Sequence, residues 1–237
     1  TYLRFVRGII DSEDLPLNVS REMLQQNRVL ANIRQASVKK LLGEFARIAK
    51  DEPEKYKTFT EQFNRPLKEG LYSDFTNRDQ LLELIRFKST KADGYTSLAE
   101  YKERMLPDQK AIYFITGEGE NTLRNSPLLE AYKKRDIEVL IADDDIDEMV
   151  VPTIGTYEET ELKSVNRSDA GEDLQDEKDE QKEQDLGPVV EKIKKALGDR
   201  VKDVKVSVRL SDSPSCIVVD ENDPTMKMQQ LLKAMGQ

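Results

Sequence analysis

The sequence predicts a mixed fold of the α/β and α+β classes: a three-helix layer, a small α/β sandwich, and a further small α+β portion. Three observations carry that expectation. Apolar residues recur at helical spacing over residues 20–86. Strand-like apolar runs then alternate with short helical segments over residues 87–165. Beyond an acidic stretch, a helical pattern, two strand-like runs and a last helical pattern fill residues 187–235.

Taken in order, residues 5–11 are expected as a strand, with Pro16 behind it. Ser20 is placed to cap a helix reaching residue 49, on which Leu30, Ile33, Leu41, Phe45 and Ile48 form one apolar stripe. Asp51-Glu52-Pro53 breaks it, and Gly70 separates a second helix at 53–69 from a third at 77–86. Residues 87–90 read as a short strand. Ser97 and Glu100 have the spacing of a capping box at the head of a helix over 97–105. Strands at 110–116 and 138–142 flank a helix at 127–135, and a helix at 146–151 precedes a closing strand at 162–165. A helix at 187–197 is stopped by Gly198. Strands at 204–210 and 216–219 follow, with Pro214 between them, and a helix at 225–235 comes last.

Composition excludes several chemistries. The 237 residues contain no histidine and one cysteine, which removes Ser-His and Cys-His catalysis, His-bearing metal sites and multi-thiolate zinc. Cys216 lies in a strand-like run and reads as a small buried hydrophobe. One cysteine cannot close an internal disulfide, which fits a reducing cytoplasm. A net charge of −9 argues against nucleic acid as a partner. No apolar run approaches the ~18 residues that a membrane span requires. Nine acids between Ser168 and Asp185 face only Lys178 and Lys182, so that stretch reads as a solvated connector or frayed helix. The chain opens on Thr1, and is expected to be part of something longer.

Four segments could carry chemistry. Arg21 directly follows the Ser20 cap, where a cation opposes the helix dipole, and Gln25 lies one turn on along the same face. A guanidinium and an amide beside free helix N–H groups suit a phosphate, although spacing alone favours a solvated arginine offset by Glu22. Thr116-Gly117-Glu118-Gly119-Glu120 stands where a phosphate loop would, yet Thr122 takes the third glycine position and both glutamates would repel a pyrophosphate. Asp143, Asp144, Asp145, Asp147 and Glu148 lack the glycine-pivoted loop of a calcium site and suit helix capping better. On the last helix Met228, Leu231, Leu232 and Met235 share a face, fit either for a core or for an adaptable grip on other proteins.

Two well-separated segments carry a family resemblance. Ser-Arg-Glu-Met-Leu-Gln at 20–25 resembles the helix opening of the middle domain of the heat-shock protein 90 chaperones. Lys-Ala-Ile-Tyr-Phe-Ile-Thr-Gly-Glu at 110–118, continuing through Asn125-Ser126-Pro127 to Ile146-Asp147-Glu148, resembles the end of that domain. The resemblance, to the bacterial HtpG type, covers essentially the whole chain. It implies a middle domain at 1–166, an acidic connector at 167–186 and the first part of a carboxy-terminal domain at 187–237.

Further expectations follow from the resemblance alone. The parent protein would be a cytoplasmic, homodimeric, ATP-hydrolysing chaperone of the stress response that binds unfolded or partly folded client proteins. Arg21 would reach the terminal phosphate of ATP held by an amino-terminal domain of the same chain, assisted by Gln25. Glu148, Met149, Met228, Leu231 and Leu232 would meet client, with Met149 standing where some relatives carry tryptophan. Residues 1–237 alone would hold no cofactor or metal and turn over no ATP. Two other classes remain: a non-enzymatic adaptor using the acidic connector, and a small-molecule enzyme using the 116–120 loop.

Overall fold

The computed structural model describes residues 2–11, 28–174, 177–220 and 223, and they form a mixed α/β structure. Its helices are α1 (Arg28–Asp51), α2 (Pro53–Ser73), α3 (Arg78–Leu84), α4 (Leu98–Glu103), α5 (Glu120–Arg124), α6 (Glu130–Lys134), α7 (Asp147–Ile154) and α8 (Glu177–Leu197). The strands are β1 (Phe87–Ser89), β2 (Tyr95–Thr96), β3 (Ala111–Thr116), β4 (Val139–Ala142), β5 (Thr156–Tyr157) and β6 (Thr160–Ser164). Two compact units result: Thr1–Phe87 with Gly94–Glu100, and Lys88–Asp93 with Tyr101–Gln237.

The first unit is the expected helical layer. Pro53, at the first turn of α2, cannot continue α1 but suits a helix start, so the chain breaks and restarts there. Leu42, Leu67, Leu71, Leu81 and Leu82 form its apolar interior, and the rings of Phe5, Phe45, Phe59 and Phe63 pack together with centroids 4.3–6.1 Å apart. Gly70 does not end α2, which runs on to Ser73. Its missing side chain leaves room for Leu81 and Tyr2, whose atoms would lie 2.9 and 3.0 Å from an added Cβ. Two buried polar groups fasten the end of α3: Tyr56 Oη donates to Leu84 O at 2.6 Å, and the Asn64 carboxamide pairs with both main-chain groups of Arg86 at 2.8 and 2.9 Å. Ser97 and Glu100 make the expected capping box, with bonds of 3.1 and 2.7 Å.

In the second unit the strands follow the order β1-β4-β3-β6-β5. β3 is parallel to β4 and to β6, while β1 and β5 are antiparallel to their neighbours, so the sheet is mixed. All six residues of β3 are buried, as a central strand covered on both faces requires. Ala111, Tyr113 and Ile115 point into the main core with Leu129, Tyr132, Val139, Ile141 and Val165. Buried Tyr101 anchors this core: its hydroxyl donates to Glu138 O at 2.5 Å and accepts from Tyr113 N at 3.1 Å and Gln109 Nε2 at 2.9 Å. Beyond β6, the Asn166 carboxamide accepts from Thr116 N at 2.9 Å and donates to Thr116 O at 3.0 Å, which adds one side-chain rung to the parallel ladder.

Several elements differ from expectation. Residues 6–11 form no strand, and residues 2–5 turn. β2, α5 and the two-residue β5 were not expected. α8 begins at Glu177, ten residues before the apolar pattern, because glutamate, lysine and glutamine propagate a helix well without an apolar stripe. Residues 204–210 and 216–219 form no strands; only the parallel bridge Arg167↔Val219 is present. Their polar groups find partners in the unit instead. The buried Arg209 guanidinium donates to Val165 O at 2.7 Å and Arg167 O at 2.8 Å, and Arg209 O accepts from Ala131 N at 3.1 Å. Cys216 and Val218 pack against the core there, and burial raises the Cys216 thiol pKa.

Candidate functional site

Of the residues singled out in the sequence, Glu148 and Met149 lie within the described structure, both in the first turn of α7. Arg21, Gln25, Met228, Leu231 and Leu232 lie outside the described residues. The structure therefore brings two candidates together on one short helix.

Local sequence explains that helix. Asp147 is fully buried at its start, accepting from Asp144 N at 3.2 Å, while Asp147 N donates to Asp144 O at 2.9 Å. This reciprocal pair turns the chain out of β4 and into α7. Val150, Val151 and Ile154 are buried, and α7 packs on β4 and β6. The opposite side carries Glu148, half-buried, with Met149, Pro152 and Thr153 exposed. Met149 keeps 47% of its surface open, an unbranched thioether beside a carboxylate. Gly155 ends the helix at φ +68°.

The carboxylates before α7 are engaged in the protein. Lys88 reaches Asp143 at 2.8 Å and Glu120 at 3.0 Å, and Glu120 also meets Arg124 at 2.8 Å. Burial opposes the charge on Lys88, but its hydrogen bonds to the two carboxylates outweigh burial and raise its pKa. The same bonds, Lys88 first and then Arg124, lower that of Glu120. Lys88 is a residue the sequence reading passed over; a lone lysine inside a short strand is its only signal. Among the described residues no group of histidine, cysteine, aspartate or glutamate is arranged to hold a metal ion, and no helix is long and apolar enough to cross a membrane.

In the 116–120 loop, Gly119 adopts φ +81° at the head of α5, and the Glu120 carboxylate is held by Lys88 and Arg124. The glycines serve a tight turn, and the acidic side chain is turned to internal pairing. What the described surface offers chemically is contact: an exposed methionine and a carboxylate on a helix fixed by its other face.

The sequence matches the model of one family, described as Hsp90 protein, over residues 1–237. Among curated proteins it is 59% identical over 245 residues to the chaperone protein HtpG of Treponema denticola. It is 56% identical over 244 residues to that of Treponema pallidum, and 57% over 242 residues to that of Aliarcobacter butzleri. Each comparison covers 100% of this chain and 38% of the relative, so the chain spans under two fifths of their length.

Proposed function

Since the chain belongs to the Hsp90 protein family, we propose that it is a segment of an ATP-dependent molecular chaperone of the HtpG type, which grips partly folded clients and assists their folding. The observation that carries the client-binding part is the outward side of α7. Its opposite side is buried, so the exposed Met149 is free of a packing duty and stands beside Glu148. A flexible thioether next to a carboxylate suits apolar stretches flanked by basic residues, with little selectivity for sequence. Met228, Leu231 and Leu232 would extend that surface in the whole protein.

The catalytic part rests on family membership and on the wording of residues 20–25. Arg21 stabilises charge developing on the terminal phosphoryl group of ATP bound by an amino-terminal domain of the same protein, and Gln25 assists it. Loss of one such electrostatic contact raises a barrier by about 3 kcal/mol, roughly a hundredfold in rate. The whole protein acts as a cytoplasmic homodimer, and residues 1–237 by themselves turn over no ATP.

Two variants of the full-length protein test this reading. Met149→Glu should weaken binding of a chemically denatured protein while leaving the unfolding midpoint in place. Arg21→Ala should lower ATP turnover far more than nucleotide affinity. Unchanged client binding in the first, or unchanged turnover in the second, refutes the corresponding half.

A further inference from the structure

Just past β6, two arginines tie the chain to the segment at 204–223 from opposite directions. The buried Arg209 guanidinium donates to the main-chain oxygens of Val165 and Arg167. The Arg167 guanidinium reaches the other way, and its Nη1 donates to Asp220 O at 2.7 Å and Asp223 O at 2.6 Å. Between the two lies a short main-chain ladder, in which Ser168 N donates to Val219 O at 2.9 Å and Val219 N to Asn166 O at 3.0 Å. Lys202 closes the far end, 2.7 Å from the Asp220 carboxylate and 3.3 Å from that of Asp223.

Both acceptors of Arg167 are main-chain oxygens, so the contact fixes the path of the backbone rather than the tip of a mobile side chain. Hydrogen bonds from a charged donor are also the stronger kind. The clasp stands between two surfaces. On one side α7, which carries Glu148 and Met149, packs on β6, and β6 ends at Ser164 directly before the clasp. On the other, Met228 follows Asp223 by five residues. Five residues reach at most about 18 Å even when fully extended. A fixed Asp223 therefore confines Met228 to the neighbourhood of the sheet.

We propose that Arg167 is a positioning residue that joins the α7 surface and the segment from Met228 to Leu232 into one two-point grip. The inference rests on the chaperone reading, which supplies both surfaces. Two contacts at a fixed separation bind one chain cooperatively, because the second forms at high effective concentration. Releasing Asp223 forfeits that gain without removing either contact. Binding of a reduced, carboxymethylated and dye-labelled lactalbumin to the full-length protein tests this. Arg167→Met keeps the apolar stem and loses the donors. It should weaken binding about tenfold and speed amide exchange at Val219, with exchange at Tyr113 on β3 unchanged. Arg167→Lys, whose ammonium can donate to both carbonyls, should restore most of the affinity. In a Met149→Glu background, where one contact is already gone, Arg167→Met should add at most about a twofold further loss. Unchanged affinity in Arg167→Met, a full independent loss in the Met149→Glu background, or no recovery in Arg167→Lys overturns the role of Arg167 and leaves the chaperone reading standing. Full affinity in both Met149→Glu and Leu231→Ser overturns that reading, and the grip with it.

Discussion

The Lys102 ammonium meets Glu158 twice, 2.9 Å from its main-chain oxygen and 2.9 Å from its carboxylate. This clasp holds the turn between β5 and β6, where Glu158 and Glu159 have φ of +43° and +67°. Two-residue hairpins of this kind prefer Asn-Gly, since a side chain at positive φ costs about 1–2 kcal/mol. Glycine also raises the entropy of the unfolded chain, which removes part of the gain. Glu159→Gly is therefore expected to stabilise the chain by about 0.5–1 kcal/mol in urea unfolding. Glu158→Gly should gain less, because it deletes the carboxylate that Lys102 holds.

Gly70 reverses the usual helix rule. Alanine is better than glycine inside a helix by about 1 kcal/mol. Here an added methyl would lie 2.9 Å from Leu81 Cδ1 and 3.0 Å from the Tyr2 ring, so the fully buried Leu81 side chain and the Tyr2 ring must shift to admit it. Overpacking of that kind costs about 1–3 kcal/mol. Gly70→Ala should lower the urea midpoint, whereas Gly43→Ala on α1, with nothing within 4 Å, should raise it.

Asn64 substitutes for a missing backbone partner at Arg86, donating to its carbonyl and accepting from its N–H. Truncation removes both bonds and leaves two main-chain groups unsatisfied, each worth about 1–3 kcal/mol. Asn64→Ala should destabilise the first unit by about 2–3 kcal/mol and speed amide exchange at Arg86. An unchanged Arg86 exchange rate would rule out this role for the carboxamide.

Features written locally were legible, and those decided by tertiary partners were not. Ser97 and Glu100 satisfy each other within one turn, and Pro53 breaks α1 by its own geometry, so both could be read from the sequence. The apolar runs of β3 and β4 revealed central strands for the same reason. The β5–β6 hairpin was hidden because its turn uses Glu-Glu, held by a lysine far away in sequence. Residues 204–219 alternate like strands, yet Arg209 points inward to two carbonyl groups, and that choice depends on β6 and the segment after it. At the candidate site, the aspartates before α7 announced a helix start. Which side of it faces outward was settled by β4 and β6.

Glu130 gives the strap over residues 211–213 a pH dependence. Its carboxylate accepts from Ser211 N at 2.7 Å, Asp212 N at 2.9 Å and Ser213 N at 3.3 Å, and from the Ser213 hydroxyl. The Ser213 hydroxyl first, then the Ser211 and Asp212 amides, favour the ionised form and bring its pKa down to about 2. A depressed carboxylate contributes its full stabilisation above the ordinary glutamate value, near 4.5, and loses it progressively as pH falls toward 2. Protection of the Ser211 and Asp212 amides should therefore be constant above that window and fall within it. Glu130→Gln, with a single carbonyl oxygen in place of the charge, should show weakened protection at neutral pH and no further step on acidification. A step that persists in Glu130→Gln would assign the transition to another group.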